Sequence, residues 1–176
     1  MSRKTSLKKN IDFELLLKKK TVDSLPISTA QKLVETSATN QLISLFRTRL
    51  LKNGKGSLAR RILQEAFEVI QDSTGQNGFD VLRQAVLNVT PVVEVKPQRR
   101  GGSVFQVPVE VSSERGTLLA LSWLAQAARQ RTGRGMSQKL ATELLEAEKK
   151  TGNAVRKKEE LHRIAEANKA LSHFRF

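Results

Sequence analysis

Apolar residues along most of this chain recur every three or four positions, which is the spacing of one face of an α-helix. Six segments show this period, and Gly, Pro, Ser or Thr residues separate them. Their apolar positions are Leu42, Leu45, Phe46 and Leu50; Leu58, Ile62, Ala66, Val69 and Ile70; Phe79, Leu82, Val86 and Val89; Leu118, Leu121, Leu124, Ala125 and Ala128; Met136, Leu140 and Leu144; and Leu161, Ile164, Ala165 and Leu171. The sequence therefore predicts a mainly α protein, a six-helix bundle.

The helix limits follow from the residues that break the period. The first clear helix begins at Asn40 and is broken at 52–57, where Ser57 can cap the second helix. Residues 74–78 close the second helix, and the third ends before Pro91. The last three helices are predicted at 117–131, 136–150 and about 154–172.

Residues 92–111 have a different period, because apolar residues alternate there with polar ones. The alternation runs through Val93 and Val95 and then through Phe105, Val107, Val109 and Val111. The break between them, Pro97–Gly102, carries two glycines that accept positive φ at low cost. This pattern predicts one projecting antiparallel β-hairpin with a cationic tip. Pro108 cannot donate to a ladder, so its strand is predicted to lie at a sheet edge.

The charge of the chain points to a polyanionic partner. Its 31 Lys and Arg residues stand against 17 Asp and Glu, for a net charge of +14. Nucleic acid is favoured over a membrane surface, since no strongly apolar helix face accompanies the charge and no window approaches 18 consecutive apolar residues. The cations fall in separate groups: an amino-terminal arm, Arg47–Lys55, Lys96–Arg100, Arg129–Lys139 and Arg156–Arg163. Such dispersal fits a folded RNA that approaches from several sides better than one recognition helix in a DNA major groove.

The amino-terminal 41 residues differ in composition from the rest. Residues 1–20 carry seven Lys or Arg, and residues 21–41 are rich in Ser, Thr and Ala around Pro26, with a short helix predicted at Thr29–Thr36. We therefore predict an arm and linker over 1–41, followed by a single helical domain over 42–176. The arm is either ordered on RNA or a solvated tail; its candidate RNA-binding residues are Arg3, Lys4, Lys8 and Lys9.

No catalytic, metal or cofactor site emerges from the sequence. The loop at 54–57 lacks the glycine spacing and the preceding strand of a phosphate-binding P-loop. With His162 and His173 as the two histidines and no cysteine, no zinc-ligand spacing is present. The carboxylates Glu143, Glu146 and Glu148 have the pattern of a solvated helix face. We expect neither an enzyme nor a small-molecule substrate.

Two features have alternative interpretations. Arg156, Lys157 and Lys158 open the last helix, where the macrodipole disfavours cations, which suggests an external phosphate; the alternative is pairing to Glu159, Glu160 or another helix. Trp123 either packs in the core or stacks on a base.

Several segments together resemble the bacterial-type small-subunit ribosomal protein seven. They are Glu94–Lys96, the Arg99–Gly102 tip, Gln106–Val111, Leu119–Leu124, Ala127–Arg129, Ala154–Ala170, the ending His173–Phe176 and the loop Leu51–Ser57. The resemblance spans about residues 42–176, and residues 1–41 depart from it. The atypical residues 1–41, together with Ser122 in the helix that contains Trp123, favour an organellar ribosome, the mitochondrion slightly over the plastid. The bacterial cytoplasm is the other possibility.

The resemblance implies a function and an interface. It implies a structural protein that binds the 3′ major domain of small-subunit rRNA, nucleates head assembly, and holds its hairpin near exit-site tRNA and mRNA, among neighbouring ribosomal proteins. Carried onto this chain and joined to the cation groups, the expected rRNA-binding residues are Lys52, Lys55, Arg129, Arg131, Arg134, Arg156, Lys157, Lys158 and Arg163. The expected tRNA- and mRNA-proximal residues are Lys96, Arg99, Arg100, Gly101 and Gly102. The alternative from the residues alone is a DNA-binding architectural protein that uses its basic β-ribbon.

Overall fold

The computed structural model of the protein describes residues 27–100 and 102–174. These residues form six α-helices, one two-stranded antiparallel sheet and a closing 3₁₀ helix, which confirms the predicted mainly α fold with one hairpin. The elements are α1 (Ile27–Leu50), α2 (Gly56–Thr74), α3 (Gly78–Val89), β1 (Val93–Arg100), β2 (Ser103–Glu110), α4 (Ser113–Gln130), α5 (Met136–Glu148), α6 (Asn153–Ala167) and the 3₁₀ helix Lys169–Phe174. By its contacts the chain divides after Leu42, and the residues from Ile43 onward form one unit.

Helix α1 begins at Ile27, so the prediction of a linker with only a short helix before Asn40 was wrong for residues 27–39. The segment contains Ser and Thr but no Gly or Pro after Pro26. Ser and Thr reduce helix propensity by only tenths of a kcal/mol each relative to Ala, whereas Gly and Pro are true breakers. The predicted arm residues Arg3, Lys4, Lys8 and Lys9 lie outside the described residues.

The centre of the unit is α5, which packs against α2, α3, α4 and α6. Leu140 and Leu144 on this helix have no exposed surface. The neighbouring α4 buries Ala120, Ala125 and Ala128, and these short side chains allow the helices to approach closely. A helix surrounded in this way has little solvated surface, which bears on its carboxylates below.

Helix α2 departs from the prediction in its start and its buried face. Ser57 lies inside the first turn and does not cap it, because the N-cap position is Lys55. The buried stripe is Ala59, Leu63, Ala66 and Ile70, while Leu58 and Val69 are 40% and 36% exposed. Two helical stripes overlap in this sequence, and the predicted one included the larger side chains rather than Ala59.

The hairpin turn is tighter than predicted. The ladder runs from Val93 opposite Glu110 to Arg100 opposite Ser103, so only residues 101 and 102 connect the strands. Pro97, predicted to start the turn, lies within β1 opposite Gln106. Gly102 has φ +85°, the backbone conformation that two-residue hairpin turns require. Pro108 lies opposite Val95 in a sheet whose described strands are both edges, as predicted.

The two faces of the hairpin are not those that alternation indicated. Residues opposite each other share a face, so Glu94 lies on the same side as Val109, and Lys96 on the same side as Val107. Val107 is fully buried and Glu94 is 7% exposed, whereas Val93 and Val95 lie on the other face and are half-buried. A carboxylate therefore occupies the packed side of the hairpin base.

The carboxyl-terminal helix is shorter than predicted. Helix α6 ends at Ala167 and is followed by the 3₁₀ helix, which packs against β2. Ala154, Val155 and Ala165 are buried, but Ile164 is 36% exposed and Leu161 is only half-buried. The inward placement predicted for Ile164 was wrong.

Candidate nucleic-acid interface

Cations that are distant in sequence meet at the end of α1. The α1–α2 loop turns through Asn53 and Gly54, both with positive φ, and exposes Lys52 and Lys55. Arg129, in the last turn of α4, donates from its Nη2 to the carbonyl oxygens of Arg49 at 3.2 Å and Leu50 at 3.4 Å. An apolar groove runs between these cations; it is lined by Leu50, Leu58, Ala59, Ile62 and Met136 together with Lys52, Lys55 and Arg129.

We name Lys52, Lys55 and Arg129 the loop-end cluster. Arg134 lies between α4 and α5, two residues before Met136, which lines the same groove. Arg134 is exposed and forms no hydrogen bond or ion pair with another described residue. The groups predicted at 47–55 and 129–139 thus form one cationic end of the bundle, because the end of α1 and the end of α4 are hydrogen-bonded together.

Arg131 belongs to the interior instead. Its Nε donates to Glu143 Oε2 at 2.5 Å, and its two Nη atoms form a bidentate ion pair with the Glu146 carboxylate. Glu143 has no exposed surface, and its other carboxylate oxygen accepts the Ala154 N–H at 3.0 Å. The prediction of a solvated face was wrong for Glu143, because four helices enclose α5; the Glu146 side chain is 40% exposed but is paired with Arg131. The hydrogen bond to Glu146, with that to Glu143, raises the pKa of Arg131 despite its burial.

Two of the three cations that open α6 also pair within the protein. Lys157 Nζ donates to Gln126 Oε1 at 2.6 Å, and Lys158 Nζ donates to the Asn88 carbonyl at 2.7 Å. The alternative interpretation, pairing to another helix, therefore applies to both. Arg156 and Arg163 are exposed and have no hydrogen bond or ion pair to a described residue.

The hairpin presents its cations unevenly. Arg99 is exposed opposite Val104 near the tip, and Lys96 shares a 3.1 Å ion pair with Glu94 Oε1. Gly102 is exposed in the turn. The side chain of Arg100, and Gly101, lie outside the described residues.

The base of the hairpin is held by residues that sequence reasoning did not select. Glu94 Oε2 accepts from Arg115 Nε at 2.8 Å, and the Val92 N–H donates to His162 Nε2 at 3.3 Å. One signal was available: Arg115 lies in the first turn of α4, where the macrodipole disfavours a cation, so an external carboxylate was to be expected. Nothing in the sequence marks His162, since its partner is a backbone N–H.

The ionisation of both groups follows from these contacts. Burial raises the pKa of Glu94, but the hydrogen bonds and charges of Arg115 and Lys96 outweigh it, so that pKa lies below its ordinary value. Burial lowers the pKa of His162, and the nearby Lys158 charge lowers it further. Both shifts favour the ionisation states that the hydrogen bonds require, a carboxylate at Glu94 and a neutral imidazole at His162.

The two cationic regions lie at opposite ends of α4. The helix starts beside the hairpin base at Ser113 and ends beside the loop-end cluster at Gln130. Its 18 residues correspond to about 27 Å. The two regions are therefore separated by about the length of α4.

Other site types find no support within 27–100 and 102–174. No group of three or more His, Asp or Glu residues in those ranges is arranged to hold a metal ion. None of the helices described is long and apolar enough to cross a membrane. Trp123 is half-buried in α4, intermediate between the two interpretations of its role.

Comparison of the sequence shows which known proteins this chain resembles. Residues 18–169 match the model of a family described as ribosomal protein S7p/S5e, which reaches 24 residues further toward the amino terminus than the resemblance over 42–176. The chain is 53% identical over 137 residues to small ribosomal subunit protein uS7 of Nostoc punctiforme, covering 78% of this chain and 88% of the relative. It is 53% identical, with the same coverage, to uS7 of a Synechococcus strain, and 54% identical to uS7c of Ostreococcus tauri. These cyanobacterial and plastid relatives do not support the preference for a mitochondrion.

Proposed function

Since the chain belongs to the ribosomal protein S7p/S5e family, we propose that it binds small-subunit rRNA through two cationic regions at opposite ends of α4. Its role in the small subunit is structural and not enzymatic. Lys52 and Lys55 of the loop-end cluster, with Arg134, Arg156 and Arg163, bind the 3′ major domain, and early binding there nucleates assembly of the head.

One observation carries this proposal: exposed cations that have no partner among the described residues lie on separate loops and helix faces of a tightly packed unit. Lys52, Lys55, Arg134, Arg156 and Arg163 are exposed. Their mutual repulsion, in a chain of net charge +14, is relieved when phosphates approach. Arg131 is omitted from the interface, because Glu143 and Glu146 already neutralise it.

The hairpin carries the second part of the proposal. Arg99 and Gly102 at the exposed end of the ribbon, with Arg100 and Gly101, lie nearest the exit-site tRNA and the departing mRNA. A two-residue turn keeps this tip narrow, which suits insertion between RNA segments. The amino-terminal arm of residues 1–41, with Arg3, Lys4, Lys8 and Lys9, adds further phosphate contacts to those of the domain over 42–176.

The test compares affinities for a 3′ major domain rRNA fragment as a function of salt. Lys52→Gln with Lys55→Gln removes two cations from the loop-end cluster. Arg60→Gln with Arg83→Gln removes two exposed cations from outside the predicted groups and is the matched control. If both lysines neutralise phosphates, the slope of log affinity against log salt becomes shallower by about 1.4–1.8, at about 0.7–0.9 for each phosphate that the variant no longer neutralises.

The control variant should change the slope much less. Equal effects of the two double variants would refute the placement of the interface, since affinity would then follow net charge alone. Equal affinity of the unmodified protein for duplex DNA of the same length would instead favour the DNA-binding alternative.

For the compartment, the cyanobacterial and plastid relatives favour a plastid or a cyanobacterial cytoplasm. Fractionation of the source cells followed by a high-salt wash of small subunits tests both the location and the association. Recovery with mitochondrial ribosomes would refute this assignment.

A further inference from the structure

The first attachment of the hairpin lies where the chain enters β1. The Val92 N–H donates to Nε2 of His162 on α6, and the Val92 carbonyl accepts the Val111 N–H at 3.0 Å. The backbone of Val92 is thus hydrogen-bonded both to the residue that follows β2 and to a side chain of α6. Because His162 is half-buried, its ring position is constrained by the surrounding helix and strand.

The second attachment is the carboxylate on the packed face of β1. Glu94 is 7% exposed and accepts from Arg115 at 2.8 Å and from Lys96 at 3.1 Å. Lys96 belongs to the same strand, so it does not connect the hairpin to the body. Arg115 belongs to α4, so this bond fixes the strand to a helix.

The third attachment is a close backbone approach. A Cβ added at Gly116 would lie 2.9 Å from Thr90 Cγ2 and 3.4 Å from the Pro91 carbonyl oxygen. The first turn of α4 therefore packs directly on the segment that leads into β1. This contact fixes the distance between helix and hairpin but supplies no directional bond.

The length of the ribbon makes these attachments consequential. Eight residues of β1 extend about 25 Å, so a rotation of about 10° at the base displaces the tip by about 4 Å. Hydrogen bonds tolerate changes of only about 0.5 Å in donor–acceptor distance. A two-stranded ribbon has little stability of its own, so the tip takes its position from the base.

We propose that Glu94, through Arg115, and His162 are positioning residues that fix the direction in which the hairpin projects. The two bonds reach different helices, α4 and α6, so together they restrict rotation that either alone would permit. The inference depends on the proposed function only for what the tip meets. The fixed direction itself is a property of the free protein.

Spin-label distances measure this direction. The chain contains no cysteine, so Ser103→Cys at the tip and Asp72→Cys on α2 can be labelled without removing native thiols. Pulsed electron paramagnetic resonance on the full chain should give one narrow distribution of distances between the two labels. In the Glu94→Leu/His162→Phe variant, which has no acceptor at either position, we expect the distribution to widen at least twofold, or its mean to shift by about 4 Å or more.

Controls separate positioning from general stability. Arg61→Gln breaks the exposed Arg61–Glu65 pair on α2 and should leave the distribution unchanged. Arg115→Gln removes the guanidinium that donates to Glu94. Because the Arg115 side chain is 56% exposed, this variant should fold even if the double variant does not. Arg115→Lys should restore part of the narrow distribution. An unchanged distribution in a folded Glu94→Leu/His162→Phe protein, or in folded Arg115→Gln, would overturn the proposal.

This experiment and the RNA titration fail independently. A widened distribution with no rRNA affinity would refute the proposed function and leave the positioning role in place. Intact rRNA affinity with an unchanged distribution would do the reverse.

Discussion

Replacing Arg131 by Met should be among the most destabilising single changes in this protein. The change leaves Glu143, which has no exposed surface, with only the Ala154 N–H as a hydrogen-bond donor. Removing one partner of a buried ion pair typically costs about 3–5 kcal/mol, because an uncompensated charge stays in the interior. Glu146 is 40% exposed on its side chain and can return to water, so its loss of a partner adds little.

A second substitution tests the cause. In Arg131→Met/Glu143→Gln the buried charge is gone, and the amide oxygen can still accept the Ala154 N–H. The buried amide introduced at position 143 is then incompletely hydrogen-bonded, which costs about 1–3 kcal/mol of stability. The double variant should therefore be more stable than Arg131→Met alone. Equilibrium urea unfolding followed by circular dichroism gives these free energies. Arg61→Gln, which breaks an exposed pair, should cost no more than about 0.5 kcal/mol.

A cost below about 1 kcal/mol for Arg131→Met would show that Glu143 is not left as an uncompensated buried charge. A double variant as unstable as Arg131→Met would also contradict this cause, because the cost would then come from poorer packing where the Arg131 side chain had been.

Two further predictions concern pH and packing. The His162 ring should titrate by NMR with a midpoint below 6.5, and Lys158→Met should raise it; a midpoint at or above 6.5 would contradict the burial argument. Because the folded pKa is lowered, the stability contributed by neutral His162 is present above pH 6.5 and is lost as pH falls through the folded pKa. Leu144→Ala, at a position with no exposure, should cost about 2–5 kcal/mol in urea unfolding, whereas half-buried Leu161→Ala should cost less than about 2 kcal/mol. Equal costs would show that burial does not separate these two leucines.

The helices could be predicted from the sequence because burial repeats with the helical period. Phe46, Leu82, Leu121 and Leu140 are buried, as their spacing indicates. The same rule failed on α2, where Ala59 rather than Leu58 faces the core, since period identifies a stripe only to within one residue. It also failed on β1, because alternation cannot tell which face of a strand a neighbouring helix covers.

The candidate site was predictable only as a set of cation-bearing loops. Gly and Lys at 52–56 and the arginines at 129–134 are visible in sequence, but their meeting depends on Arg129 capping the carbonyls of α1. The pairing of Arg131 with Glu143 was not visible, because a carboxylate on a helix is normally solvated. It is buried here since α5 is the helix on which four others pack.

Internal pairing divides the predicted RNA-binding cations into two classes that behave differently when neutralised. Arg131, Lys157 and Lys158 donate to groups within the protein, whereas Lys52, Arg134 and Arg156 are exposed without such partners among the described residues. A net charge of +14 is a sum and cannot distinguish the classes. A side chain that already donates to a protein acceptor forms fewer hydrogen bonds to phosphate than one without such a partner. Arg134→Gln and Arg156→Gln should therefore weaken rRNA binding with little change in unfolding free energy. Arg131→Gln should do the opposite. An rRNA affinity that fell equally for Arg131→Gln and Arg134→Gln at equal folded fraction would show that Arg131 leaves its carboxylates to bind RNA, and that the internal ion pairs do not select the interface.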